Sequence, residues 1–307
     1  MKARMRFSCA ALLLWSSLSV IAQELAPPPQ PLEIAGAQSR VYKTVNDVEL
    51  RFHIFSPQNP GTASTIPAVV FFFGGGWTGG NVNQFVPQSR HLAERGMIAI
   101  VADYRVFGRH KTGAFEAIAD AKSAIRWVRA HATELGIDAN RIAAGGGSAG
   151  GHVALSAAVF DRFDETNEDR RISSKPNALV LFNPAVNTDP GRAAQDAGGA
   201  RDTLAARFGD RGREGSPYHH IGPGLPPTII LHGKSDATVP YVDVERFCSE
   251  ATKHGNRCLL VGYEGATHGF FNPGNAGGKW YRETLLEADR FLTQIGYLRA
   301  PVPTQIP

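Results

Sequence analysis

From residue 40 onward, short apolar runs alternate with stretches in which apolar residues return every three or four positions. Between Arg40 and Phe55, β-branched and aromatic residues alternate with polar ones and break at Asn46-Asp47, which predicts an antiparallel pair of strands. Ile66–Phe73 is unbroken apolar sequence, suited to a strand covered on both faces. The pattern then predicts a helix over Val86–Arg95, a strand over Met97–Asp103, a helix over Ala114–Leu135 stopped by Gly136, a strand over Arg141–Gly145 and a helix over Ser148–Phe160. Further strands are expected at Ala178–Phe182, Thr228–Leu231 and Leu259–Tyr263, with helices over Val242–Lys253 and Lys279–Ile295. Strands alternating with helices after a hairpin predict an α/β protein: a mostly parallel, doubly wound sheet with helices on both faces. The pattern lapses over residues 187–218, apart from a helical piece at Asp202–Phe208, and predicts there a lid-like insertion over the C-terminal edge of the sheet. No linker divides residues 40–298, so a single domain is expected, followed by a tail at 299–307.

The start of the chain departs from this pattern. Lys2, Arg4 and Arg6 precede an apolar run from Cys9 to Ile21, and Val20-Ile21-Ala22 has the character of a cleavage site, so residues 1–22 are expected to be a secretory leader cut near Ala22. The run is short for a membrane span, and a retained N-terminal anchor is the alternative reading. Residues 23–39 follow as a tether whose stretch from Gln23 to Pro31, rich in proline (Pro27, Pro28, Pro29, Pro31), is expected to be extended and without core residues. The formal net charge of +4 lies mostly in the leader, whose three basic residues have no acidic counterpart. The near-neutral remainder gives no reason to expect a nucleic-acid partner. Cys248 and Cys258 remain after the leader, and in an exported protein such a pair is expected to be oxidised, here bracing the segment that leads to His268. No CxxC or Cys/His cluster supports a metal, and no cofactor is expected.

The candidate chemistry centres on Arg141–Ala154, RIAAGGGSAGGHVA, where an apolar strand meets a helix at a glycine-rich corner. Gly146-Gly147-Ser148-Ala149-Gly150 fits G-x-S-x-G, the nucleophile elbow. The glycines flank the serine at two residues because a Cβ there would strike the neighbouring strand or helix, and the helix N-terminus directs N–H groups at an oxyanion. A plain glycine-rich turn competes with this reading; a phosphate loop does not, because no Lys-Ser/Thr follows. A serine nucleophile needs a base, and the base a carboxylate that orients it. His268 follows the last strand and Asp236 the preceding one, giving the order Ser148, Asp236, His268, each at a strand's C-terminal end. Asp189, Asp210 and Asp243 compete for the carboxylate role, but none closes a buried strand. The base must be neutral to take the serine proton, so activity is expected to fall in acid. Oxyanion donors are expected from the N–H of Ala149 and from Gly75 and Gly76, in the glycine loop after the first buried strand. Trp77 is read either as lining the substrate pocket or as packing under that loop. His219, His220 and His232 are read as structural, Asp120 and Arg126 as structural ion-pair or surface residues, and Phe270 and Phe271 as packing around the His268 loop.

Together FFFGGGW, ADYR, GGGSAGG, the SPYHH…GLPPTIILHGKSDATVP block and EGATHGFF, spread over residues 40–298, resemble the bacterial esterase and lipase group related to hormone-sensitive lipase and to acetyl-xylan and feruloyl esterases. The resemblance implies the α/β-hydrolase fold and a metal-free serine ester hydrolase working through an acyl-enzyme. Two positions depart from the group. Phe73 stands where a histidine usually opens His-Gly-Gly-Gly, leaving the loop to be fixed by other means, and Gly147 stands where the residue before the serine is usually acidic. The function expected is an exported carboxylesterase that removes short acyl groups, foremost acetyl, from small-molecule or oligosaccharide esters of plant or algal origin. A peptidase or amidase of the prolyl-oligopeptidase type and a non-catalytic binding protein that keeps the fold are the alternatives.

Overall fold

The computed structural model describes residues 29–58, 64–193, 204 and 206–300. The expected leader, residues 23–28 of the tether, part of the helical piece at 202–208 and the tail from 301 lie outside the described residues. The hairpin of β1 (Gln38–Val45) and β2 (Val48–Phe55) turns at Asn46 and Asp47, both at positive φ, as a two-residue turn between twisted strands requires. There follow β3 (Ile66–Phe72), α1 (Val86–Glu94), β4 (Ile98–Ala102), α2 (Phe107–His110), α3 (Ala114–Ala130) and α4 (Ala132–Leu135). The second half runs through β5 (Ile137–Gly147), α5 (Ala149–Val159), β6 (Ala178–Phe182), β7 (Thr228–Gly233), α6 (Tyr241–Lys253), β8 (Cys258–Tyr263) and α7 (Lys279–Gln294). The eight strands lie in the order β1-β2-β4-β3-β5-β6-β7-β8. β2 is antiparallel to both of its neighbours, and every other pair is parallel. This is the α/β-hydrolase arrangement, with the C-terminal ends of β3, β5, β6, β7 and β8 opening onto one edge.

Burial follows the apolar runs. β3, β4, β6 and β7 are buried at every position, and α5, apolar on all sides, is buried from Ala149 to Ala158. A helix without a polar face is stable only when covered all round, and α5 packs on β5, β6 and β3 and against α3. Two expectations need correction. The helix expected over 114–135 breaks at His131, whose ring stacks on Trp127 at 3.9 Å and whose Nδ1 meets the Trp127 carbonyl at 2.8 Å; a separate turn, α4, completes it before Gly136. β5 begins at Ile137 rather than Arg141, because the half-exposed Asp138–Asn140 hide a strand whose first residue already pairs with Ile66. Ahead of β1, Gln30 bonds to the glycine loop after β3 and Ile34 packs on the core.

Two features brace the framework away from the sheet edge. Asp120 is fully buried on α3, where it holds Arg105 at 2.8 Å and Lys43 at 2.6 Å, and Glu165 closes the cluster against both cations. A buried carboxylate is tolerated only with such partners. Cys248 of α6 and Cys258 at the start of β8 are bonded, with Cα atoms 5.3 Å apart. No helix among the described residues is long and apolar enough to cross a membrane.

Candidate active site

Ser148 sits between β5 and α5 with φ 53° and ψ −119°, a conformation that a side chain adopts only under constraint. The constraint is steric. A Cβ on Gly146 would lie 2.4 Å from the Phe72 carbonyl oxygen, and one on Gly150 would lie 2.0 Å from it. The helix therefore packs directly on β3 and forces the corner. The Ser148 N–H donates to the Phe182 carbonyl at 2.9 Å, and its carbonyl accepts the N–H groups of His152 and Ala185. Gly147 has its own reason: a Cβ there would sit 2.5 Å from Cζ of Phe271, so an aromatic ring occupies the space an acidic side chain would need.

The structure brings Ser148, His268 and Asp236 together. His268 Nε2 lies 2.9 Å from Ser148 Oγ, and His268 Nδ1 lies 2.7 Å from Asp236 Oδ2. Asp236 is held by its own turn, Oδ1 accepting the N–H groups of Thr238 and Val239 at 2.9 Å each. Burial alone would push this carboxyl up, but hydrogen bonds from His232 and His268, the charge of His268 and the Val239 N–H outweigh it and hold Asp236 well below the usual carboxylate range. Asp189, one of the competing carboxylates, is engaged elsewhere by Arg213 and His219.

Two contacts that shape this arrangement were not expected: Asn183 was not singled out in the sequence, and His232, read there as structural, touches the Asp236 carboxylate. His232, fully buried on β7, places Nε2 2.8 Å from the Val239 carbonyl and 3.3 Å from Asp236 Oδ2, so the carboxylate faces two imidazoles. Asn183, directly after β6 and at φ 35°, accepts the N–H of Gly269 on Oδ1 at 3.1 Å. The Gly269 carbonyl in turn accepts from Asn272 and Asn275, so the peptide that follows the imidazole is fixed at both ends. Asn183 carried a usable signal, because it is a polar residue closing a buried strand, as Asp236 is. His232 carried none: only its contact with Asp236 separates it from other buried histidines.

The glycine loop after β3 lies against the elbow, where a Cβ on Gly74 would be 3.4 Å from the Cβ of Ser148. Among the described residues, the N–H groups of Gly75, Gly76 and Ala149 donate to no protein acceptor. The middle of the loop is held by α2, whose Phe107 and Gly108 N–H groups donate to the carbonyls of Trp77 and Thr78. Trp77 itself is 1% exposed at φ 58°, edge-on to His152 and Phe208 at 5.0 Å each. Its indole therefore packs beneath the loop, and the residue borders a cavity of about 300 Å³ together with Phe107, Lys111 and Arg207. No group of three or more His, Cys, Asp or Glu that could hold a metal ion gathers among the described residues.

Comparison with known proteins agrees with this architecture. Thermogutta terrifontis esterase 2 in its native form superposes with a TM-score of 0.81 at 46% identity, over 90% of this chain and 97% of that one. The probable carboxylic ester hydrolase LipM of Mycobacterium tuberculosis is 31% identical over 209 residues, 61% of this chain and 45% of that protein, and the carboxylesterase NlhH of the same species is 34% identical over 143 residues, 46% and 43% respectively. The chain spans about half the length of the curated relatives it matches. The prolyl oligopeptidase family matches residues 209–292. The BD-FAE family matches residues 52–250, well over half the sequence and including the elbow, and the chain belongs to that family, on the α/β-hydrolase fold.

Proposed function

We propose that this protein is a serine carboxylesterase in which Ser148 is the nucleophile, His268 the general base and Asp236 the group that orients it. The observation that carries the reading is the unbroken line of contacts from Ser148 Oγ through His268 to Asp236, at 2.9 and 2.7 Å. Ser148 Oγ attacks the ester carbonyl carbon while its proton passes to His268 Nε2, and the carbonyl oxygen becomes an oxyanion held by the N–H groups of Gly75, Gly76 and Ala149. The carbonyl re-forms as the alcohol leaves with the proton from His268, and water, deprotonated by the same imidazole, releases the acid and restores Ser148. Asp236, kept ionised, steadies the imidazolium formed in each half of the cycle.

The acyl group we propose is short, acetyl foremost. Solved structures of Thermogutta terrifontis esterase 2 have propionate and butyrate bound, and that protein is phosphonylated by sarin and phosphorylated by paraoxon. We propose a carbohydrate on the alcohol side, and export of the enzyme, on the leader-like first 22 residues and the Cys248–Cys258 bond. Acetylated xylo-oligosaccharides and a series of p-nitrophenyl esters from acetyl to octanoyl test the substrate. Faster turnover of octanoyl than of acetyl esters, or no acetate from the oligosaccharide, would refute the corresponding part. The match of residues 209–292 to the prolyl oligopeptidase family favours a second reading, a peptidase; turnover of aminoacyl-p-nitroanilides in place of esters would establish it.

A further inference from the structure

The glycine loop after β3, which Phe73 opens, is held at its root and at its far end. At the root, the N–H of Gly74 donates to Gln84 Oε1 at 2.7 Å, and the carbonyl of Phe73 accepts from the Tyr104 hydroxyl at 2.7 Å, with the two rings stacked 4.2 Å apart. The far end is held by the segment that precedes β1. Gln30 Nε2 donates to the Gly80 carbonyl at 2.8 Å, and Gln30 Oε1 accepts the N–H of Val82 at 2.9 Å. A carboxamide both donates and accepts in one plane, so this side chain pairs with the loop much as a neighbouring strand would.

The far end matters to the chemistry because the loop folds back on itself. A Cβ on Gly75 would lie 2.3 Å from the Gly79 carbonyl oxygen, and one on Gly80 would lie 2.1 Å from the Gly74 carbonyl oxygen and 2.3 Å from the Phe73 ring. The N–H groups of Thr78 and Gly79 both donate to the carbonyl of Gly75, at 3.0 and 3.1 Å. Gly75 is exposed at φ 141°, with no side chain of its own to orient it. The direction of the peptide joining Gly75 to Gly76 therefore depends on where Gly79 and Gly80 are held.

We propose that Gln30 is a positioning residue for ester hydrolysis: it clasps Gly80 and Val82 and through them aims the N–H groups of Gly75 and Gly76 at the oxyanion. The proposal rests on the reading that those N–H groups stabilise the tetrahedral intermediate. Donors of this kind act only when already aimed where charge develops, and small displacements are costly. The clasp spans 50 positions of sequence, so the segment ahead of the domain becomes part of the catalytic apparatus.

The test compares full-length wild type with Gln30→Ala and Gln30→Glu. Glutamate keeps an acceptor for the Val82 N–H but sets a carboxylate oxygen against the Gly80 carbonyl. Active sites are counted by titration with an organophosphonate, p-nitrophenyl acetate gives kcat and KM per titrated site, and amide hydrogen exchange is followed at Thr78, Gly79 and Val82. The expected result is a fall in kcat of about tenfold in both variants, KM within about twofold of wild type, a nearly unchanged melting midpoint, and faster exchange at all three amides in Gln30→Ala and at Thr78 and Gly79 in Gln30→Glu. The proposal is overturned if kcat per titrated site stays within about twofold of wild type, or if the three amides exchange alike in wild type and Gln30→Ala. Wild type that titrates no site at all defeats the esterase reading instead, and the exchange data still decide whether Gln30 holds the loop.

Discussion

Two glycine-rich turns meet above this sheet, and they are held in different ways. At the elbow the glycines are dictated by backbone: each Cβ that Gly146 or Gly150 might have carried would collide with a carbonyl of β3. In the loop after β3, Gly75 and Gly80 are also required where the loop folds on its own backbone, but a Cβ on Gly76 would find nothing nearer than Thr78 Oγ1 at 3.9 Å, and the loop is tied to the rest of the molecule by hydrogen bonds with Gln30, Gln84, Tyr104 and the N–H groups of α2. The nucleophile is thus fixed by the same packing that makes the fold, whereas the oxyanion donors are fixed by separable hydrogen bonds. Damage to the elbow should appear as lost stability, and damage to the loop as lost turnover in an intact protein.

The largest effect that would break this contrast is at Gly150. Gly150→Ala drives a methyl into the Phe72 and Phe73 carbonyls and should cost about 3 kcal/mol or more, read as a fall in the denaturation midpoint. A variant as stable as wild type would remove the steric account of the corner. His152, on α5 and edge-on to Trp77, sits where the two turns touch, and burial depresses its pKa to about 4, with the Gly215 carbonyl opposing the shift weakly. Between the reference value near 6.5 and about 4 the unfolded chain binds a proton that the folded one refuses. Stability should therefore be full above about pH 6.5 and fall by about 3 kcal/mol as the pH drops to about 4, and His152→Gln should flatten that part of the curve. Melting temperatures measured across the interval give the comparison directly.

A smaller test concerns Gly147. Gly147→Asp sets a side chain against the Phe271 ring, for a cost of about 2 kcal/mol, and in a Phe271→Ala background, which carries its own cavity cost, the same substitution should cost much less. Additive losses would show that the ring is not what excludes the side chain. The smallest stability effect is expected at Gly76, where alanine at φ 59° costs about 1 kcal/mol. Activity should fall further than that figure implies if the loop is tuned for aim rather than for stability.

Much of the fold was legible because apolar runs and helical spacing report burial directly. The strands from Ile66 to Phe72, Ala178 to Phe182 and Thr228 to Gly233 are buried at every position. The start of β5 was hidden because its first residues are partly exposed, and the break at His131 because a single side-chain contact leaves no trace in periodicity. At the site, Ser148, Asp236 and His268 stood out by their places at strand ends, and His268 lies within hydrogen-bonding distance of both of the others. Residues that act on these through one contact did not. His232 reaches Asp236 from within its own strand, Asn183 reaches the loop of His268 from the next, and Gln30 lies in a proline-rich stretch whose composition suggested no tie to the domain.

The central claim is that the hydroxyl of residue 148 is activated by the imidazole of residue 268, and the rate of covalent capture tests it most directly. A fluorophosphonate probe should add one adduct per chain, located on Ser148 by peptide mass, with none on Ser148→Ala and capture slowed by about a thousandfold or more in His268→Gln. Labelling that persists in Ser148→Ala, or that proceeds at the wild-type rate without the imidazole, would contradict the account.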